Sequence, residues 1–373
     1  GGGRGPMPEG AEAPAPGTAC RICLSGPGGE GVCSPCPCRG SLRWVHLSCL
    51  RTEFLARQQW TQLTCSICKN EFSGEPALLL AALALQSAEA AWGSESVGTL
   101  VCADHLGRLL SNAGELAEAE PHLRRALAGL ELALGPEDPE VLIAASNMGM
   151  LLKCQGRVEE AEPLARRAWR GSCAVRGEEH PETLVFGMNL AAALRELGKA
   201  EEAEPLLRQA LAGLGKERGD QHPDALAAAS HLSGLLRHLR RDLGEAEPLA
   251  RRAWEGSLRH FGPGHPRTLQ ATADLGLLLL ERGRPTEGEQ LLRDALSGFE
   301  ERLGKQHPQT LAAAADFGSS LYAAGRKLEA EAPLLVAWEG RRGQLGEGHL
   351  RTLASAHNLG VLLLDLQQPE RAL

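Results

Sequence analysis

The sequence predicts two architectures in series, a small cysteine-stapled domain and an all-α solenoid. Three observations carry this. Eight of the eleven cysteines fall between Cys20 and Cys68. Hydrophobic residues make up 43% of the 373-residue chain but aromatics only 3%, so the apolar content is mostly Ala and Leu. Those residues favour helix, whereas a sandwich or barrel would want β-branched and aromatic side chains. From about residue 77 the chain repeats itself with a period near 42.

Residues 1–17 are almost entirely Gly, Pro, Ala and Glu. They cannot bury enough apolar area to order themselves, which predicts a disordered lead-in. Residues 18–73 hold the cysteine cluster. Residues 77–93 read as a lone capping helix, and 94–373 as the solenoid, with six complete 42-residue repeats and a truncated seventh. The net charge of −8 divides unevenly. Six basic and three acidic residues make 18–73 positive, so the acidity belongs to the repeats. This balance argues against a nucleic-acid partner. The apolar run at residues 77–85 is too short to cross a membrane, which needs about 20 residues. Clustered cysteines without a secretory leader point to metal binding in a reducing compartment, and so to the cytoplasm.

The cysteines come in pairs. Cys20 and Cys23 are followed by Cys36 and Cys38, then His46 and Cys49, then Cys65 and Cys68. A short gap within a pair lets one tight turn aim two ligands at one ion. Structural zinc takes four Cys or His ligands in a closed tetrahedron, so eight ligands imply two zinc ions. The four pairs can join consecutively or interleave. Cys33 could also pair with Cys36, but only Cys36 with Cys38 keeps the one-residue and seven-residue gaps, which leaves Cys33 as a spare thiol. A domain of this size needs such staples to fold.

The stretches "CRIC", "PCPCRGSLRWVHLSCL" and "CSICKNEF" resemble the RING-CH finger of the membrane-associated RING-CH ubiquitin ligases. PHD fingers share the ligand order but space the second pair and the His differently. The resemblance implies an interleaved fold. One zinc would take Cys20, Cys23, His46 and Cys49, and the other Cys36, Cys38, Cys65 and Cys68. It also implies a RING-type E3 ubiquitin-protein ligase, which has no nucleophile and holds a ubiquitin-charged conjugating enzyme in a reactive pose. The expected contacts with that enzyme are Ile22 in the first Cys loop, Phe54 on the following helix and Lys69 after the last Cys. The family usually has a Trp where this chain has Glu53. The other reading is a non-enzymatic, zinc-stabilised adaptor.

The repeat is marked by Asp138-Pro139, His180-Pro181, His222-Pro223, His265-Pro266 and His307-Pro308, with His349 one period later. Proline suits the first helical turn, where no N–H is needed. Gly114, Gly156, Gly198, Gly283 and Gly325 should end the first helix of each pair. The second helix should start near the recurring Glu-Pro pairs at Glu120, Glu162, Glu204 and Glu247. The one 43-residue step places a distorted turn near Arg240–Asp242. The recurring His read as caps, and Trp92, Trp169, Trp254 and Trp338 as packing residues.

The small residue Ala191 is followed twelve later by Ala203, then by Leu207 and Ala210, as in tetratricopeptide repeats, and the 42-residue period resembles that of kinesin light chains. Members of this family hold an extended partner peptide against the first helices. Their groove positions fall on Asp104, Arg108, Ser111, Ser146, Met150, Lys153, Met188, Arg195, Ser230 and Arg237. Lys153, Arg195 and Arg237 recur at one position in three repeats, which suggests a basic track for an acidic protein or peptide substrate, with Arg108 on the same surface.

Overall fold

The computed structural model describes residues 18–28, 31–36, 38, 40–239 and 243–368. The predicted lead-in and the turn near Arg240–Asp242 lie outside the described residues. The chain divides into two compact bodies, Ala11–Leu151 and Leu152–Leu373, and the boundary falls inside a helix.

In the first body the finger has little regular structure. Among its described residues, two isolated antiparallel bridges, Cys33 with Val45 and Thr64 with Glu71, flank a short 3-10 turn (Gly40–Leu42) and an α-helix, α1 (Leu47–Arg57). Leu50 and Phe54 lie one turn apart on its inner face and are buried. Four helices follow: α2 (Gly74–Trp92), α3 (Val97–Asn112), α4 (Leu116–Leu134) and α5 (Pro139–Cys154). One apolar cluster runs from Cys20, Val45, Leu50 and Phe54 through Phe72 to Ala77, Leu80 and Ala81 of α2 and Ala103 of α3. The finger therefore shares a core with the first repeat. Trp60 of the finger packs on Trp92 at the end of α2, with ring centroids 4.8 Å apart.

The second body continues the pattern with α6 (Val158–Arg176), α7 (Pro181–Glu196), α8 (Ala200–Arg218), α9 (Pro223–His238) and α10 (Leu243–Phe261). Then come α11 (Pro266–Glu281), α12 (Pro285–Leu303), α13 (Pro308–Ala323), α14 (Lys327–Leu345) and α15 (Leu350–Asp365). From α7 onward, first helices have 16 residues and second helices 19. The fold class is thus the expected one, a small cysteine-rich finger followed by an all-α solenoid of paired helices.

The caps explain the register. His180, His222, His265, His307 and His349 each accept a backbone N–H two residues ahead through the ring Nδ1. This satisfies one of the orphan donors of a helix start. The second helices begin before the Glu-Pro pairs, not at them: α8 starts at Ala200, five residues ahead of Pro205. One lost backbone bond there is offset by the packing of Ala203, Leu207 and Ala210, which are buried with Ala191 in one core. Two second helices lack that Glu-Pro pair: α12 places its proline, Pro285, at its first position, and α14 keeps Pro333 inside the helix after Ala332.

Paired helices approach closely where a side chain is missing. A Cβ on Gly318 of α13 would lie 2.7 Å from Leu334 Cγ of α14. Trp169 and Trp254 pack against the main core and Trp338 against the core around α14 and α15. The second body also returns on itself. His349 Nε2 lies 2.6 Å from the Gln155 carbonyl, and Arg351 pairs with Glu196 at 2.9 Å.

Candidate metal centres

The finger brings its ligands together in two groups. Cys20, Cys23, His46 and Cys49 form one, and Cys36, Cys38, Cys65 and Cys68 the other, with all donor atoms of a group within 4.8 Å of one another. These are the two interleaved sets that the resemblance implies. A tetrahedral ion with Zn–S bonds of about 2.3 Å separates its sulfurs by about 3.8 Å. Cys38 Sγ and Cys65 Sγ lie 3.9 Å apart, so the cage has the right size. The donor chemistry fits zinc in both groups.

Local backbone geometry aims the ligands. Each outer pair forms a tight turn whose amides point at the first sulfur. Ile22 N and His46 N donate to Cys20 Sγ at 3.4 and 3.3 Å. Ile67 N donates to Cys65 Sγ at 3.4 Å. Burial pushes the Cys65 thiol up, but the amides of Cys68 and Ile67, with the Cys36 and Cys68 thiols, outweigh it and hold the thiol down at about 6. Such N–H···S bonds favour the thiolate that a metal requires. Lys69, directly after the second outer pair, adopts the left-handed conformation at φ 60° and closes the turn.

His46 is oriented from behind. Its Nε2 lies 3.0 Å from the Gly26 carbonyl and 3.3 Å from that of Pro27. A carbonyl can only accept, so Nε2 carries the proton and Nδ1 is left as the ligand atom. Nδ1 faces Cys23 Sγ at 3.3 Å and Cys49 Sγ at 3.9 Å. Cys33 lies outside both groups, and its Sγ donates to the Val45 carbonyl at 3.3 Å.

The residues expected to meet a conjugating enzyme fare differently. Ile22 is 39% exposed, and Lys69 is exposed. Phe54 is not available: it is 2% exposed and packs in the core with Leu50. Its helical phase explains this, since α1 turns the Leu50–Phe54 face inward. Glu53, on the outer side, pairs with Arg57 and accepts from Ser66 Oγ at 2.9 Å. Sequence reasoning gave no weight to two other exposed apolar side chains of the outer turns, Leu24 and Ile67. Ile67 occupies in the second turn the place of Ile22 in the first, a symmetry readable from "CRIC" and "CSIC".

The groove candidates also divide. Arg108 pairs with Glu71 of the finger at 3.3 Å, and Arg237 with Glu281 at 2.9 Å. Ser146 and Met188 are buried and belong to the packing. Ser230 donates to Asp274 at 2.7 Å. Lys153 and Arg195, with Arg267, instead act through their charge on His231. His231 is solvent-accessible yet hemmed in by protein. That crowding, then the field of Arg195, Lys153 and Arg267, pushes its imidazole down to about 3. His231 and Arg267 were missed in the sequence because neither shares the repeat position of Lys153 and Arg195.

Comparison with known proteins follows the same division. The tetratricopeptide repeat profile matches residues 99–172, 179–257 and 267–342. The RING-variant domain profile matches residues 20–68. Human E3 ubiquitin-protein ligase MARCHF2 is 41% identical over 64 residues, which are 17% of this chain and 25% of that protein. The chain therefore spans about a quarter of the length of the curated relatives it matches. Among solved structures, apo RapI is 14% identical with a TM-score of 0.55, over 80% of this chain and 97% of that one. A Podospora anserina structure with kinesin light chain TPR-like repeats is 23% identical with a TM-score of 0.43, over 55% and 96%. The RapI likeness shows the fold alone. Among the described residues no helix is long and apolar enough to cross a membrane.

Proposed function

Because the chain belongs to the tetratricopeptide repeat family and carries a RING-variant domain at residues 20–68, we propose that it is a RING-type E3 ubiquitin-protein ligase. The finger recruits a ubiquitin-charged conjugating enzyme, and the repeats bind the protein or peptide substrate. The observation that carries this reading is the interleaved pair of metal centres with apolar side chains turned outward on both outer turns, Ile22 and Ile67. Zinc supplies the fixed shape of that surface when bound. The chemistry is positioning, so the residues that matter are those that hold the enzyme–ubiquitin thioester in place. Ile22 and Lys69 are the contacts we retain. On the repeats, Lys153 and Arg195, joined by Arg267 around His231, form the basic patch for an acidic segment. Cytoplasmic residence belongs to the same proposal, since thiolate ligands need a reducing compartment.

The test is autoubiquitination by the full chain with a panel of conjugating enzymes. Chain formation that falls at least tenfold in Ile22→Ala, with zinc content unchanged, is the expected result. No product with any enzyme while both zinc ions stay bound would overturn the reading. One observation favours an adaptor instead: Phe54 is buried and Glu53 stands where the family places an aromatic. Binding of repeat partners by a chain inactive with every conjugating enzyme would establish that second reading.

A further inference from the structure

Arg21 stands inside the first metal-binding turn, between Cys20 and Ile22, but its guanidinium leaves that site. Nη1 lies 3.7 Å from Cys36 Sγ and Nη2 3.6 Å from Cys65 Sγ, both ligands of the other centre. Nη1 also donates to the Leu42 carbonyl at 2.8 Å, and the Arg21 amide donates to the Trp44 carbonyl at 2.9 Å. The side chain is thus pinned at its base and at its tip. It spans from the turn of one centre to the cage of the other.

The two centres differ in charge. Three thiolates and a neutral imidazole around a divalent ion leave one negative charge; four thiolates leave two. The second cage is also the more enclosed. Cys36, Cys38 and Cys65 are all buried, whereas Cys23 of the first is exposed. Excess charge in an enclosed site is costly unless a cation or oriented donors offset it. A guanidinium fork can donate to two sulfurs at once, which an ammonium cannot do in the same fixed geometry.

We propose that Arg21 is a positioning residue that couples the two centres, neutralising part of the four-thiolate cage and tying the first turn to it. Partners of this kind typically change metal affinity by about 10–100-fold when removed. The effect should be selective. Removing Arg21 should loosen metal at Cys36, Cys38, Cys65 and Cys68, and leave the Cys20, Cys23, His46 and Cys49 centre nearly unchanged.

Cobalt(II) loaded into the full chain reads the centres separately, because a four-thiolate site and a three-thiolate, one-imidazole site absorb at different visible wavelengths. With Arg21→Met, the four-thiolate bands should be lost at about tenfold lower competing chelator, while the other bands hold within about twofold. Arg21→Lys should recover part of the affinity, since it keeps the charge but not the fork. Should the Met variant fail to fold, Arg21→Gln, which stays polar but carries no charge, should show the same selective loss. Equal loss from both centres, or no loss from either, overturns the proposal. The readout is metal occupancy, so the result stands apart from ligase activity.

Discussion

The finger concentrates its cohesion in eight side chains that converge on two points. The repeats spread theirs over many small contacts, such as those of Ala191, Ala203, Leu207 and Ala210, which are buried in one core. Both regions face the same shortage of large apolar residues. The finger answers it with ligands and hydrogen bonds to sulfur. The repeats answer it with Ala and Gly, which let helices approach until Leu side chains interlock, as Gly318 does against Leu334. The difference teaches where each region is fragile: the finger at its ligands, the repeats only at the neighbours of a lost contact.

Metal removal should produce the largest effect. A strong chelator should abolish the finger's structure, because ligand binding and folding are one event in such domains. Far-ultraviolet circular dichroism should keep most of its helical signal, since α2–α15 need no metal. Tryptophan fluorescence should shift, because Trp44 and Trp60 pack, half-buried, against the finger's core. A helical signal that collapses together with the fluorescence would break the comparison, and would mean that the shared core around Phe72 and Ala77 makes the repeats dependent on the finger.

A repeat-core truncation comes next. Leu190 is fully buried on α7, and Leu190→Ala should cost about 2–5 kcal/mol through lost contacts and a cavity. Amide hydrogen exchange should rise in α7, α8 and their neighbours while α13 and α14 stay protected. Uniform loss of protection along the repeats would show that they fold as one cooperative block.

What the sequence made legible follows the same divide. Ligand pairs and helix starts are short-range patterns, and the Cys-x2-Cys turns and His-Pro caps could be read directly. Phe54 was also readable, since Leu50 and Phe54 are four apart on one helix and share a face; the family's docking position drew attention to the wrong side of α1. The early start of the second helices was hidden because a proline within the second turn usually argues against helix there. Long-range pairings were out of reach. Trp60 meets Trp92, Arg21 crosses to Cys65, and His349 reaches Gln155 only through the accumulated packing of several helices. No local pattern encodes a distance summed over repeats.

The last prediction sets two kinds of buried acid group in one body against each other. In the finger, Cys20 and Cys65 accept backbone amides and Cys36 and Cys65 face Arg21, so negative charge on these sulfurs is supported. Asp104 of α3 is 4% exposed, accepts one bond from Asn147 Nδ2 at 2.8 Å, and leaves its Oδ1 without a partner. Burial pushes its carboxyl up from 3.8 to about 6, against the opposing pull of Asn147 and Arg108. The folded chain therefore binds this proton more tightly than the unfolded one. Stability from this group is fully present below about pH 4 and declines as pH rises towards 6, leaving a penalty at neutral pH. Asp104→Asn keeps an acceptor for Asn147 and removes the charge. It should stabilise the first body at pH 7 by up to about 3 kcal/mol, the free-energy equivalent of the shift. The gain should shrink to nearly nothing by pH 4. Denaturant unfolding of both proteins across that range gives the difference directly. A variant that is less stable at pH 7, or a difference that does not change with pH, would mean that Asp104 is as well supported as the sulfurs.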